Sequence, residues 1–90
     1  MLLISYDISD DKLRTQFSKF LGKFGGRMQY SVFEIRNSDR VLENITTQIN
    51  AYFAKRFSQT DSVIIFRLSK SCKIDRFGYA KNDETDLLIV

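Results

Sequence analysis

The chain has 90 residues, 43% hydrophobic and 13% aromatic, with 14 Lys and Arg against 11 Asp and Glu and a net charge of +3. That length makes one domain with one core, burying roughly 60–65% of the surface the unfolded chain exposes, and this composition excludes a disordered tail. Histidine is absent and Cys72 is the only cysteine, which excludes the usual zinc sites, imidazole-based triads and an internal disulfide.

The first eight residues, Met1-Leu-Leu-Ile-Ser-Tyr-Asp-Ile8, are a short apolar run that ends in a carboxylate. The run reads as a central strand buried on both faces. Asp is poorly suited to a strand interior, so Asp7 is placed where the strand emerges. Its residue type allows two roles there, chemistry at a strand end or help in starting the next helix.

Ser9 is a good N-cap, and Asp10 and Asp11 put negative charge at the positive end of a helix spanning about 10–24. Leu13, Phe17, Phe20, Leu21 and Phe24 recur at spacings of three and four and form its apolar stripe. Lys12, Gln16, Lys19 and Lys23 fall on another face, with Arg14 to one side. That lysine stripe suits phosphates or simply water. Gly25-Gly26 is read as the helix stop.

Residues 27–36 are rich in β-branched and aromatic types, with Met28, Tyr30 and Val32 on an apolar face and Gln29, Ser31 and Phe33 on a mixed one. They form one long bulged strand or two short strands bent near Tyr30-Ser31. Asn37-Ser38-Asp39 caps a second helix of about 39–57 whose buried stripe is Val41, Leu42, Ile45, Ile49, Tyr52 and Phe53. Lys55 and Arg56 sit in its last turn, where the helix dipole favours them.

Asp61-Ser62 turns the chain into the strand Val63–Leu68. Residues 69–84 are polar, with a break at Phe77-Gly78-Tyr79 and a turn at Asn82-Asp83-Glu84. Asp86–Val90 is an apolar, strand-like tail that needs a sheet edge, its own or a partner's. The whole is one α+β domain over 1–90, a ferredoxin-like βαββαβ sandwich with an extra C-terminal strand.

There is no run of about 18 apolar residues, and the first apolar run ends at Asp7 without the cleavage site of a signal peptide. One cysteine fits a reducing compartment. The expectation is a cytoplasmic protein with no membrane span. The charge of +3 is compatible with a polyanion partner.

Three stretches together carry a resemblance: Tyr6-Asp7-Ile8-Ser9-Asp10-Asp11-Lys12-Leu13-Arg14, Arg27-Met-Gln-Tyr-Ser-Val-Phe-Glu34, and Asp61-Ser-Val-Ile-Ile-Phe-Arg-Leu68. In order and spacing they resemble the small CRISPR-associated endoribonuclease family, the smaller of the two universal spacer-acquisition proteins. The resemblance implies a homodimer of ferredoxin-like subunits, in which the C-terminal segment 79–90 is exchanged as a strand. It further implies a divalent metal, Mg²⁺ or Mn²⁺, at the dimer axis on Asp7, with Tyr6, Arg14, Arg27 and Phe33 as the other site positions. Gln16 stands where some members carry a second helix Arg, and Ser69 and Cys72 occupy a stretch where many carry a Cys pair.

Physical chemistry bears on that implication. One carboxylate is too little for Mg²⁺, which takes one or two with water; a two-fold axis makes two Asp7 from one. Arg14 or Arg27 suits a phosphate with planar paired donors; Arg27 also reads as a surface strand residue and Phe33 as core. The family implies hydrolysis of single-stranded RNA or of DNA. It also implies a scaffold bridging copies of the CRISPR integrase along double-stranded DNA, with Lys12, Arg14, Lys19, Lys23 and Arg27 as nucleic-acid contacts. A toxin-like ribonuclease shares the small fold. An RNA-recognition module would need an aromatic signature on its strands that is missing here.

Overall fold

The computed structural model describes residues 1–78. Strand β1 (Leu2–Asp7) is followed by helix α1 (Asp11–Gly22) and then by strands β2 (Gly25–Gln29) and β3 (Val32–Ile35). Helix α2 (Asp39–Gln48) continues through a wide turn at Ile49–Phe53 and a tight one at Ala54–Arg56, and β4 (Ser62–Arg67) follows. The strands form one antiparallel sheet in the order β2-β3-β1-β4. This is the ferredoxin-like α+β arrangement the element order implies.

The core lies between the sheet and its helices. Leu2, Ile4 and Tyr6 of β1 and Phe33 and Ile35 of β3 meet Leu13, Phe17 and Leu21 of α1 and Ile45 and Phe53 of the second helical segment. Side chains alternate across a strand, so the other face carries Leu3, Ser5 and Asp7, with Phe66 opposite Leu3 and Ile64 opposite Ser5. That face is open: Ile64 is 52% and Phe66 47% exposed. The expectation that β1 is buried on both faces therefore holds on the helix side only. In β4 it is Val63 and Ile65 that pack against the core.

Residues 27–36 make a hairpin. β2 and β3 pair with a register shift between Arg27 and Gln29, and Tyr30-Ser31 is the bend. The buried residues of β3 are Phe33 and Ile35, so the mixed face of the sequence pattern turns to the core and the Val32 face does not.

Three local expectations are corrected. The N-cap of α1 is Asp10, whose Oδ2 accepts from the Leu13 N–H at 2.8 Å. Ser9 is used elsewhere: its N–H and hydroxyl both donate to Asp61 Oδ1, at 2.9 and 3.0 Å. The helix ends at Gly22, and Gly25-Gly26 lies inside β2 rather than stopping α1. A Cβ on Gly25 would collide with the Glu34 carbonyl oxygen, so this glycine serves the close approach of β2 to β3.

The second helix is capped by Ser38 as expected, but regular α geometry stops at Gln48. The wide turn at Ile49–Phe53 uses more residues per turn than an α-helix. Phe53 takes the core position, edge-on to Phe17 at 4.9 Å, and Tyr52 is turned out to 36% exposure instead of lying in the buried stripe. Past β4 the chain is irregular to Gly78, whose φ of 86° fits the break read there. The expected turn at 82–84 and the expectation of a strand-like, exchanged tail within 79–90 fall outside the described residues.

Candidate functional site at the end of the first strand

β1 delivers Asp7 to the sheet margin, opposite Ser62 in the β1–β4 register. The preceding residue, Tyr6, donates its N–H to the Ser31 carbonyl at 3.1 Å, drawing the β2–β3 bend against the end of β1. Ile8 then buries itself, and its carbonyl accepts from Arg14 Nη1 at 2.8 Å. These contacts leave a depression of about 390 Å³ lined by Tyr6, Asp7, Ile8, Arg14, Tyr30 and Ser31. A smaller one of about 220 Å³, sharing Tyr6, Arg14 and Tyr30, is completed by Thr15, Ser18 and Arg27.

Asp7 and Arg14 share the larger depression and Arg14 and Arg27 the smaller, with Tyr30 lining both. Asp7 is exposed. Arg14 pairs with Asp11 one turn away, and that hydrogen bond is the main cause raising its already high pKa, so the guanidinium stays charged. Arg27 Nη1 donates to the Tyr30 carbonyl at 2.6 Å, and its guanidinium sits 5.1 Å from the centre of the Phe33 ring.

Tyr6 and Phe33 are a different kind of residue. They are 4% and 0% exposed, their rings stacked at 6.3 Å, with Tyr6 edge-on to Phe17 at 5.1 Å. Tyr6 lines both depressions, and Phe33 backs Tyr6 and Arg27 from the core. Lys12, Lys19 and Lys23 are exposed along α1 with Gln16, outside the depressions around Asp7.

Two groups have no part in the sequence reading of the site. Tyr30, 64% exposed, is shared by both depressions; its only signal is an aromatic at a hairpin bend. Asp61 accepts from the Ser58 N–H at 2.8 Å as well as from Ser9, and so ties the exit of β1 to the entry of β4. Those donors, Ser58 first and then Ser9, hold its carboxyl below the usual carboxylate range.

Asp7 is the one carboxylate among the described residues that line either depression. Among the described residues no three His, Cys, Asp or Glu side chains come together as metal ligands. Asp7 is exposed and offers an oxygen ligand of the kind that Mg²⁺ or Mn²⁺ takes one or two of, alongside water.

Comparison with known proteins gives a consistent result. The family model described as CRISPR associated protein Cas2 matches residues 1–76. A CRISPR-associated endoribonuclease Cas2 from Methanospirillum hungatei is 32% identical over 90 residues, covering 98% of this chain and 97% of its own length. Another from Rhodospirillum rubrum is 32% identical over 74 residues; the match spans 82% of this chain and 57% of that protein. Among solved structures, Streptococcus pyogenes Cas2 superposes with a TM-score of 0.70 at 21% identity, covering 86% of this chain and 98% of that one. A hypothetical protein, TT1823 from Thermus thermophilus, gives 0.66 at 28% identity over 86% and 90%.

Proposed function

The chain belongs to the Cas2 family of CRISPR-associated proteins, and from that premise we propose that it is a homodimeric, metal-dependent endonuclease acting in spacer acquisition. Its relatives are named endoribonucleases or endonucleases, which supports nuclease activity for the family. The observation that carries the finer reading is the position of Asp7. It lies on the open sheet face with Leu3 and Ser5, opposite the row that holds Phe66 and Ile64. An exposed apolar sheet face is a surface for another chain, and a second copy covering it about a two-fold axis brings a second Asp7 toward the first.

Two Asp7 carboxylates meet the ligand demand of Mg²⁺ or Mn²⁺ that one chain leaves half met. Such a cation, when bound, neutralises the charge that develops on a phosphodiester under attack. The chain's own residues do the rest. Arg14 beside Asp7, and Arg27 in the adjoining depression, present charged donors to hold the phosphate, while Tyr6 and Phe33 keep the strand end from shifting. The substrate is single-stranded RNA or DNA.

A second reading is a scaffold that bridges integrase dimers along double-stranded DNA. The exposure of Lys12, Gln16, Lys19 and Lys23 along one side of α1 favours it, because a lysine row holds phosphates without reading sequence.

Asp7→Ala separates the two. Loss of metal-dependent cleavage of RNA or duplex DNA, with the dimer intact by sedimentation, is the expected result for the nuclease. Surviving spacer integration with the integrase in the same variant assigns the biological role to the scaffold. Wild-type protein that cuts none of these substrates with Mg²⁺ or Mn²⁺ refutes hydrolysis.

A further inference from the structure

A third depression, about 440 Å³ in volume, lies between α1 and the two turns that follow α2, and Asp7 is not among its lining residues. Lys12, Leu13 and Gln16 line one wall, Tyr52 and Arg56 the other, and Asp10 one end. Its size is that of ligand clefts generally. The Asp10 carboxylate caps α1 through the Leu13 N–H and keeps its charge, and against it Lys12 and Arg56 leave the groove positive on balance.

The unusual feature is how Arg56 is held. Its guanidinium lies 3.7 Å from the centre of the Tyr52 ring, and its Nη1 donates to the Tyr52 carbonyl at 2.8 Å. Tyr52 in turn meets Phe53 edge-on at 5.0 Å, and Phe53 is anchored in the core. A flat cation stacked on a ring that is braced from behind is pre-organised, losing little freedom when a ligand meets it. The wide helical turn is what exposes it: with α periodicity Tyr52 would share the buried stripe with Ile45 and Ile49. Such turns occur often at functional sites.

A planar guanidinium on an aromatic ring, with a flexible ammonium on the facing wall, matches one ligand chemistry. Unpaired bases stack on aromatic rings and on Arg planes while cations take the adjoining phosphates. A paired base inside a duplex offers no free face to such a platform. We propose that this groove is a second nucleic-acid contact, in which Arg56 and Tyr52 stack one unpaired base and Lys12 holds its phosphate. It needs neither the metal nor Asp7.

The test is fluorescence anisotropy in EDTA, comparing an oligothymidylate with an abasic oligodeoxynucleotide of the same length. Wild type is expected to prefer the oligothymidylate about tenfold. Arg56→Lys keeps the charge, loses the plane, and is expected to bring the ratio close to one without changing affinity for the abasic strand; Tyr52→Leu does the same. Lys12→Ala weakens both strands alike. A wild-type ratio of one, or a ratio that survives Arg56→Lys, overturns the inference. Asp7→Ala retains the preference, so failure here and failure of the nuclease reading are read in different assays.

Discussion

Phe33 is where the fold and the proposed site share an atom set, and replacing it by leucine separates the two. Leucine keeps most of the volume, so the cost is well below the 3–5 kcal/mol or so of truncating a buried Phe to Ala. What disappears is the ring. Its stack on Tyr6 at 6.3 Å is an aromatic pair of about 0.5–1.5 kcal/mol. The Arg27 guanidinium 5.1 Å from its centre adds about 0.5–1 kcal/mol. Phe33→Leu should therefore cost about 1–2.5 kcal/mol together, read as a fall in the urea midpoint at constant slope. In a domain of this size each kcal/mol is a drop of about 4–8 °C in Tm. A double-mutant cycle with Arg27→Met isolates the second contact, with an expected coupling of about 0.5–1 kcal/mol. A coupling of zero refutes an energetic contact between the Phe33 ring and the Arg27 guanidinium. A loss as large as that of the alanine variant means that cavity formation, not ring loss, dominates.

Asp61→Asn should destabilise the protein near neutral pH, because the carboxylate receives the Ser58 and Ser9 N–H groups and the Ser9 hydroxyl. The folded carboxyl is held below its usual range, so its stabilisation is present above about pH 4 and is lost as the pH falls through the folded-state value. Wild-type and variant urea midpoints should therefore converge in acid; a constant gap down to about pH 2 contradicts the assignment. Gly25→Ala should cost about 1–3 kcal/mol through its collision with the Glu34 carbonyl. Gly26→Ala meets nothing within 4 Å and should leave Tm nearly unchanged; equal effects of the two would show that strand entropy, not close approach, selects glycine here.

What could be read from the sequence follows from which forces are local. The three-four spacing of Leu13, Phe17 and Leu21 is visible because burial imposes a period on a helix, and all three are core residues. The Met1–Ile8 run marks a strand but not its buried face, because it is apolar almost throughout; only the packed sheet shows that Leu2, Ile4 and Tyr6 turn to the core. Asp7 was legible for the complementary reason, a charge at the end of an apolar run. The α1 cap was not, because Ser and Asp cap equally well and only Asp61, 52 residues away, decides that Ser9 is engaged elsewhere. Tyr30 escaped notice because its place depends on one backbone bond, Tyr6 N–H to the Ser31 carbonyl, which no pattern encodes. Tyr52 was misplaced because a period of 3.6 was extended through a turn that does not keep it.

Those misses share a geometry. Ser9 and Asp10 belong to the connection that leaves β1, Tyr30 to the hairpin bend beside it, and Tyr52 to the turn that faces Asp10 across a groove. Local patterns place the strands and helices, and long-range contacts decide how the connections at this end of the sheet lie against one another. The proposed chemistry depends on those connections. The apolar stripe of α1 tolerates volume-conserving change, whereas the end of β1 is specified by single bonds such as those of Asp61 and the Ser31 carbonyl. Function at this end should therefore be more sensitive to loss of one hydrogen-bonding atom than to conservative replacement of a buried side chain.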